Sequence, residues 1–353
     1  MRPMNTRPLL ALGLGMVLMG SPAAGEPAPP DLHSTLLAPH LVEIEPGRRL
    51  NIRCVGAGSP TVVFEQGGEG MIFNWAKVLP AVAAVTRVCA YDRGGFGWSD
   101  PARYPVTALS ATDDLHALLP RAGVNSPIIL VGHSIGGFYA TMYADRFPND
   151  VAGLVLVDPG FSGQDPDWQA DARVRQQADM RRGEAGLLRC AELARTGQLT
   201  ETNLAANHCY AVPANATTPA ERRYALNAVT RPYWYLAEQS QSTNYASGDA
   251  ALSVSQQQEQ DATRSFGDLP LIVLSDDRFA TDAWRTPAET AIAAQKWREG
   301  HTALARRSSR GRMEVVQGAG HFIQRDRPEV VIAAIQEVLS AAASKRRAAP
   351  SIP

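Results

Sequence analysis

The chain has 353 residues, 45% hydrophobic and 20% charged, which is globular composition and enough length for one large domain with a sizeable insertion. Its 34 basic and 35 acidic residues are interspersed and sum to a formal charge of −1. That balance offers no basic face or tail for nucleic acid or an anionic lipid surface, so a small neutral molecule is the default partner.

The N-terminus reads differently from the rest. Arg2 and Arg7 precede an apolar run at 9–19, and the small-residue stretch Ser21-Pro22-Ala23-Ala24-Gly25 follows it. This pattern predicts a cleaved signal peptide over 1–25 and a periplasmic or secreted mature protein. The run is shorter than the roughly 20 apolar residues a bilayer span needs, and no other stretch reaches that length, so stable membrane insertion is not expected. Export also changes the reading of Cys54, Cys89, Cys190 and Cys209, which then meet an oxidising compartment. The first two fall on segments predicted as neighbouring strands and the last two lie close together in a predicted helical region, so the expected pairs are Cys54–Cys89 and Cys190–Cys209. No C-x-x-C or H-E-x-x-H occurs and the histidines are scattered, which gives a metal site no support.

Beyond a Pro-rich linker at 26–30, alternation over 41–45 and 49–55 around Pro46-Gly47 predicts a β-hairpin. Strands are predicted at 61–65, ending in Gly67-Gly68-Glu69-Gly70, and at 87–91, ending in Asp92-Arg93-Gly94-Gly95, with a helix over 75–85 between them. A helix at 108–119 leads to the continuous apolar run 127–131, the pattern of a strand buried on both faces. A helix at 135–147 and a strand at 152–157, ending at Asp158-Pro159, extend a rhythm that implies a mostly parallel sheet. The rhythm breaks over 160–267, a polar, Gln- and Ala-rich region read as an inserted helical cap. It resumes with a strand at 271–274, a helix at 290–306, a strand at 312–316 and a helix at 329–342. The expected organisation is therefore signal peptide 1–25, α/β core 26–159 and 268–343, cap 160–267 and a disordered tail 344–353.

Gly132-His133-Ser134-Ile135-Gly136 fits G-x-S-x-G, and its surroundings give the match weight: a buried strand before it, a helix after it, and Gly136-Gly137 for close helix packing. A tight strand-to-helix turn leaves no room for Cβ atoms two residues either side of Ser134. It exposes the hydroxyl at a helix N-terminus suited to developing negative charge. A serine needs a base to take its proton. His321, in Gly318-Ala319-Gly320-His321 after the last predicted strand, is placed to arrive at the same sheet edge. His133, His116 and His301 read instead as packing or helix-surface residues.

With these motifs in hand, residues 41–342 resemble the α/β-hydrolase fold superfamily, in the branch carrying Tyr91-Asp92-Arg93-Gly94-Gly95-Phe96-Gly97-Trp98-Ser99 and Gly132-His133-Ser134-Ile135-Gly136-Gly137. The resemblance implies an eight-stranded, mostly parallel sheet with a cap after the sixth strand, and the order Ser, acid, His along the chain. It implies that Tyr91-Asp92-Arg93 is a scaffold turn, and that the oxyanion donors are the backbone N–H groups of Gly68 and Ile135. Gln66 stands where many relatives have the His of a His-Gly pair. Many relatives take the acid from after the seventh strand, a position that falls on Phe279 here with Asp276 and Asp277 close by. Others take it from the end of the sixth strand, where this chain has Asp158. Asp158 is the first candidate and Asp277 the alternative.

The reaction implied is acyl transfer: His321 takes the Ser134 proton as the oxygen attacks a carbonyl, the acid orients the imidazole, and water releases the acyl group. It requires no metal or organic cofactor. Cap aromatics Trp168, Tyr233, Trp234 and Tyr235 read as cap packing that could also line a pocket, and the expected substrate is a neutral carboxylic ester of small or medium size. Cleavage of a C–C bond, a lactone or an N-terminal peptide bond by the same triad is the alternative, and a non-catalytic binding protein is the reading from another class. Dehalogenases and epoxide hydrolases of this fold carry a carboxylate where this chain has Ser134.

Overall fold

A computed structural model describes residues 35, 37–68, 70–246, 252–259, 261 and 263–348. The predicted signal peptide and linker lie outside the described residues, as do residues 349–353 of the predicted tail.

Eight strands form one sheet in the order β1-β2-β4-β3-β5-β6-β7-β8. β1 (Leu41–Glu45) and β2 (Arg48–Val55) make the predicted hairpin, and β2 pairs antiparallel with β4 (Val88–Tyr91). From β4 onward, β3 (Val62–Glu65), β5 (Ile128–His133), β6 (Val151–Val157), β7 (Leu271–Asp276) and β8 (Gly311–Val316) run parallel. Alternation along the strands divides the core into two layers. Phe64, Val131, Val157 and Leu274 pack on one face with Val331, Ile335 and Val338 of α10 (Pro328–Ala348). Val63, Leu130, Leu156 and Val273 pack on the other with Leu115 and Leu119 of α2 (Ala108–Arg121), Tyr143 of α3 (Ile135–Arg146) and Leu304 of α8 (Pro287–Arg306). With both faces covered, the parallel strands read as unbroken apolar runs rather than alternating ones.

The predicted helix over 75–85 is a correction. A 3₁₀ turn at Ile72–Trp75 precedes a shorter α1, Leu79–Ala83. Pro80 fits only the first helical turn, because it has no N–H and crowds the residue before it, so the helix cannot begin earlier. The tail prediction is also corrected at its start. α10 continues to Ala348, since the alanines at 341–343 and the Lys and Arg residues at 345–347 are strong helix formers.

Between β6 and β7 the described residues form α4 (Ala170–Arg195), α5 (Pro219–Val229), α6 (Pro232–Tyr245) and α7 (Val254–Gln258), with no strand. Trp234 and Tyr235 are wholly buried within this insertion. Cys54 is bonded to Cys89, directly opposite it across β2 and β4, and Cys190 is bonded to Cys209. The two disulfides suggest an oxidising compartment. No helix among the described residues is long and apolar enough to cross a membrane.

Close approach of α3 to β3 depends on glycine. A Cβ on Gly136 would lie 2.1 Å from Gln66 O and 2.9 Å from Glu65 O. Gly136→Ala is therefore expected to cost about 3 kcal/mol, the upper end of ordinary overpacking, by pushing the helix off the sheet. Chemical denaturation checks this, and an Ala variant as stable as the wild type would contradict it.

Candidate active site

Strands β5, β6 and β8 end along one edge of the sheet, and the residues that follow them converge. Ser134 succeeds β5 with φ of 56° and ψ of −129°, a conformation costly for a non-glycine residue. Neighbours hold it there: Ser134 N–H donates to Val157 O at 3.1 Å, while Ser134 O accepts from Gly137 N–H at 2.8 Å and Gly160 N–H at 2.9 Å. Asp158, after β6, is the second strained position, with φ of 45°, and its N–H donates to Leu274 O of β7 at 2.7 Å. Each turn is thus fixed by the next strand over.

His321 Nδ1–H donates to Asp158 Oδ2 at 2.6 Å, and Ser134 Oγ–H donates to His321 Nε2 at 3.0 Å. The backbone of His321 is held by His133, whose Nε2–H donates to His321 O at 2.9 Å. Asp158 is almost fully buried, and its second oxygen is occupied too: Oδ1 accepts from Trp297 Nε1–H at 2.9 Å and Asp276 N–H at 3.0 Å. His321 remains about one-third exposed, as a proton carrier serving a bound ligand must be. The arrangement can remove a proton from the serine oxygen and stabilise the imidazolium that results.

Of the other acids considered from sequence, Asp277 Oδ2 accepts from Gly318 N–H at 3.1 Å, which caps the loop carrying His321 instead of touching its ring. Asp276 ends β7 and offers Asp158 its N–H. Of the two residues expected from sequence to supply oxyanion donors, Ile135 directly follows the serine and Gly68 lies in the loop after β3. Ile135 is the first residue of α3, where a helix leaves N–H groups without intrahelical acceptors. Gly68 follows Gly67, and a Cβ on Gly67 would stand 2.7 Å from His133 Nδ1 and 3.5 Å from Ser134 Cβ, so a bare backbone passes close to the serine.

The alpha/beta hydrolase fold family matches residues 60–328, well over half of the chain. The chain belongs to the α/β-hydrolase fold family. An uncharacterized Schizosaccharomyces pombe protein is 42% identical over 140 residues, 32% of this chain and 26% of that protein. The Mus musculus (lyso)-N-acylphosphatidylethanolamine lipase is 35% identical over 104 residues, 28% of this chain and 30% of the lipase. The chain thus spans about a quarter to a third of the length of these relatives. A laboratory-evolved variant of potato epoxide hydrolase superposes with a TM-score of 0.61 at 17% identity, covering 84% of this chain and 97% of the hydrolase, which shows a shared fold.

As an α/β-hydrolase the chain carries its polar convergence at the carboxyl edge of the sheet, where ligand groups gather in open α/β folds. Two residues of α8 support Asp158, Trp297, which sequence reasoning passed over, and His301, which it reads only as packing or helix surface. Trp297 holds Oδ1, and His301, wholly buried, donates Nε2–H to Pro159 O at 2.8 Å and so braces the Asp158 turn. Their spacing of four along α8, in line with buried Ala293 and Ala305, is the signal that could have found them. Arg93, read from the sequence as part of a scaffold turn, is a buried cation just past β4 that holds the carbonyls of Gln66 and Gly67 instead of Asp158.

The insertion contributes a cleft of about 850 Å³ between α4, the Cys190–Cys209 link and α6, lined among others by Tyr210, Tyr235, Glu238 and Ser242. Ser134 is not among its lining residues. Glu238 brings the cleft wall to the loop after β3, with Oε1 only 3.5 Å from where a Cβ on Gly68 would be.

Burial pushes the Asp158 carboxyl up, but the hydrogen bond and charge of His321, with His301 and the Trp297 N–H, outweigh it and hold the pKa below the usual value. Asp276 goes the other way. Burial first, then the charge of Asp158, pushes it up to about 7 against the attraction of His321 and Arg298. A carboxyl whose folded pKa lies above its unfolded value weakens the fold as pH rises between the two. Asp276→Asn is therefore expected to gain stability relative to wild type from pH about 4 to about 7 and to hold a constant advantage above that. Melting temperatures across this range test it, and a difference independent of pH would contradict it.

Proposed function

We propose that the chain is a serine hydrolase that cleaves small or medium carboxylic esters through an acyl-enzyme. The observation that carries this reading is the continuous hydrogen-bonded line from Ser134 through His321 to Asp158, at 3.0 and 2.6 Å. In the proposed cycle His321 takes the Ser134 proton as Oγ attacks the ester carbonyl, and the N–H groups of Ile135 and Gly68 receive the oxyanion. Collapse of the tetrahedral intermediate expels the alcohol with the proton from His321. Water, activated by the same imidazole, then attacks the acyl group and returns Ser134 to its starting state. Asp158 stays ionised throughout, holds Nδ1–H and stabilises the imidazolium.

Several features accord with this reading. The elbow residue is an alcohol, so the covalent intermediate is an acyl ester instead of the alkyl ester that a carboxylate nucleophile would form. The cleft mixes the aromatic faces of Tyr210 and Tyr235 with hydroxyl and amide groups and with charged side chains, Arg181, Arg189 and Glu238 among them, which gives it apolar surface for an acyl or alcohol portion and polar groups to orient it. Export through the predicted leader at 1–25 to a periplasmic or extracellular location accords with the two disulfides.

A fluorophosphonate probe is expected to label Ser134 and a graded series of acyl esters to be turned over. An unlabelled, folded protein would contradict the proposal. Asp158→Asn is expected to lower kcat by about 10⁴-fold, as removal of a triad carboxylate does elsewhere, while Asp277→Asn changes it little. Equal effects in the two variants would refute the assignment of the acid.

A further inference from the structure

We infer that Arg93 and Gln241 are positioning residues of the oxyanion hole, fixing the peptide whose N–H meets the developing charge and joining it to the helical insertion. The inference rests on the serine-hydrolase reading for its chemistry and on the hydrogen bonds below for its geometry.

Arg93 is buried in the turn after β4. Its Nη1 donates to Glu65 Oε1 at 2.7 Å and to Gln66 O at 2.6 Å, and its Nη2 donates to Gly67 O at 2.6 Å and to Gln241 Oε1 at 3.0 Å. All four Nη hydrogens are thereby used, two of them on consecutive carbonyls of the loop after β3. A peptide unit is planar and trans, so its C=O and N–H point in opposite directions. With Gly67 O drawn toward Arg93, the N–H of Gly68 in the same peptide must point away from the guanidinium, out of the core. The Cβ position of Gly67, 3.5 Å from Ser134 Cβ, puts this peptide beside the serine. A full positive charge on the carbonyl side also polarises the unit, and in a dry site that strengthens the N–H as a donor.

Gln241 completes the clamp from the other domain layer. It is a buried residue of α6, and while its Oε1 accepts from Arg93, its Nε2 donates to Gly68 O at 3.1 Å and to Glu238 Oε2 at 3.1 Å. The carbonyls on both sides of the Gly68 residue are therefore held, one by the core and one by the insertion. Because Glu238 also lines the cleft, a ligand that displaces α6 changes the anchoring of the oxyanion loop. Substrate fit in the cleft is in this way linked to turnover as well as to binding.

The test is Gln241→Met, which keeps volume and removes all three of these hydrogen bonds, with Gln241→Glu as a second variant that keeps the acceptor for Arg93 and loses the donor to Gly68 and Glu238. For each, ester kinetics, the affinity of a trifluoromethyl ketone that needs the oxyanion hole, and amide hydrogen exchange of the peptide containing Gly67 and Gly68 are measured. The expected result is a kcat lowered about 10- to 100-fold with KM within about twofold, ketone affinity lowered in parallel, and faster exchange in the loop. Unchanged exchange, or a loss confined to KM, overturns the inference. A wild-type protein that neither turns over esters nor binds the ketone counts against the serine-hydrolase reading instead, and exchange in the variants still decides the anchor.

Discussion

The contact between the buried carboxylate of Asp158 and the imidazole of His321 is the interaction around which the rest of the edge is arranged. Removing a carboxylate from water costs several kcal/mol unless its oxygens are met by donors. Here Oδ2 takes the His321 N–H, and Oδ1 takes the Trp297 indole and the Asp276 backbone. With both oxygens occupied, the carboxyl has one orientation, and that orientation fixes the tautomer of His321 with its bare nitrogen toward Ser134. The same demand explains why the surrounding groups sit where they do. His301 holds the turn that presents Asp158, and Asp276, buried beside that charge, is pushed toward neutrality by its burial first and by the charge second.

Geometry at the strand ends makes the contact possible. Ser134 and Asp158 both adopt positive φ, and each is stitched to the strand next in the sheet, so the packed parallel sheet bears the cost of two strained turns. Gly136 lets α3 press against Gln66 and Gly67 lets the loop after β3 pass His133 and Ser134, which brings that loop and the start of α3 to the serine. The buried Arg93 and Glu65 form a charge pair directly beneath the loop. The site is thus built from backbone held by buried polar groups, with few side chains reaching into it.

Much of this is legible in the sequence where a local pattern has a single physical meaning. The apolar runs of β5 and β6 and the glycines around Ser134 locate the elbow, and the Gly-rich segment after β8 locates His321. The pairing of Cys54 with Cys89 follows from placing both on neighbouring strands. For the acid the sequence offers two strand ends, because a carboxylate after β6 and one after β7 look alike until the lengths of the loops between them are known. Trp297, His301 and Gln241 act across distances of more than a hundred residues, through packing that periodicity does not encode. The short α1 shows a local rule, the restriction imposed by Pro80, prevailing over helical apolar spacing.

The proposed function requires that the strained serine at the elbow become acylated during turnover. The most direct measurement is rapid mixing with a p-nitrophenyl ester, following alcohol release and, after acid quench, the mass of each peptide. The expected result is a burst of one p-nitrophenol per protein when deacylation is slow, with the acyl mass on the peptide carrying Ser134. Turnover without an acyl mass on that peptide, under conditions where an intermediate accumulates, would contradict it.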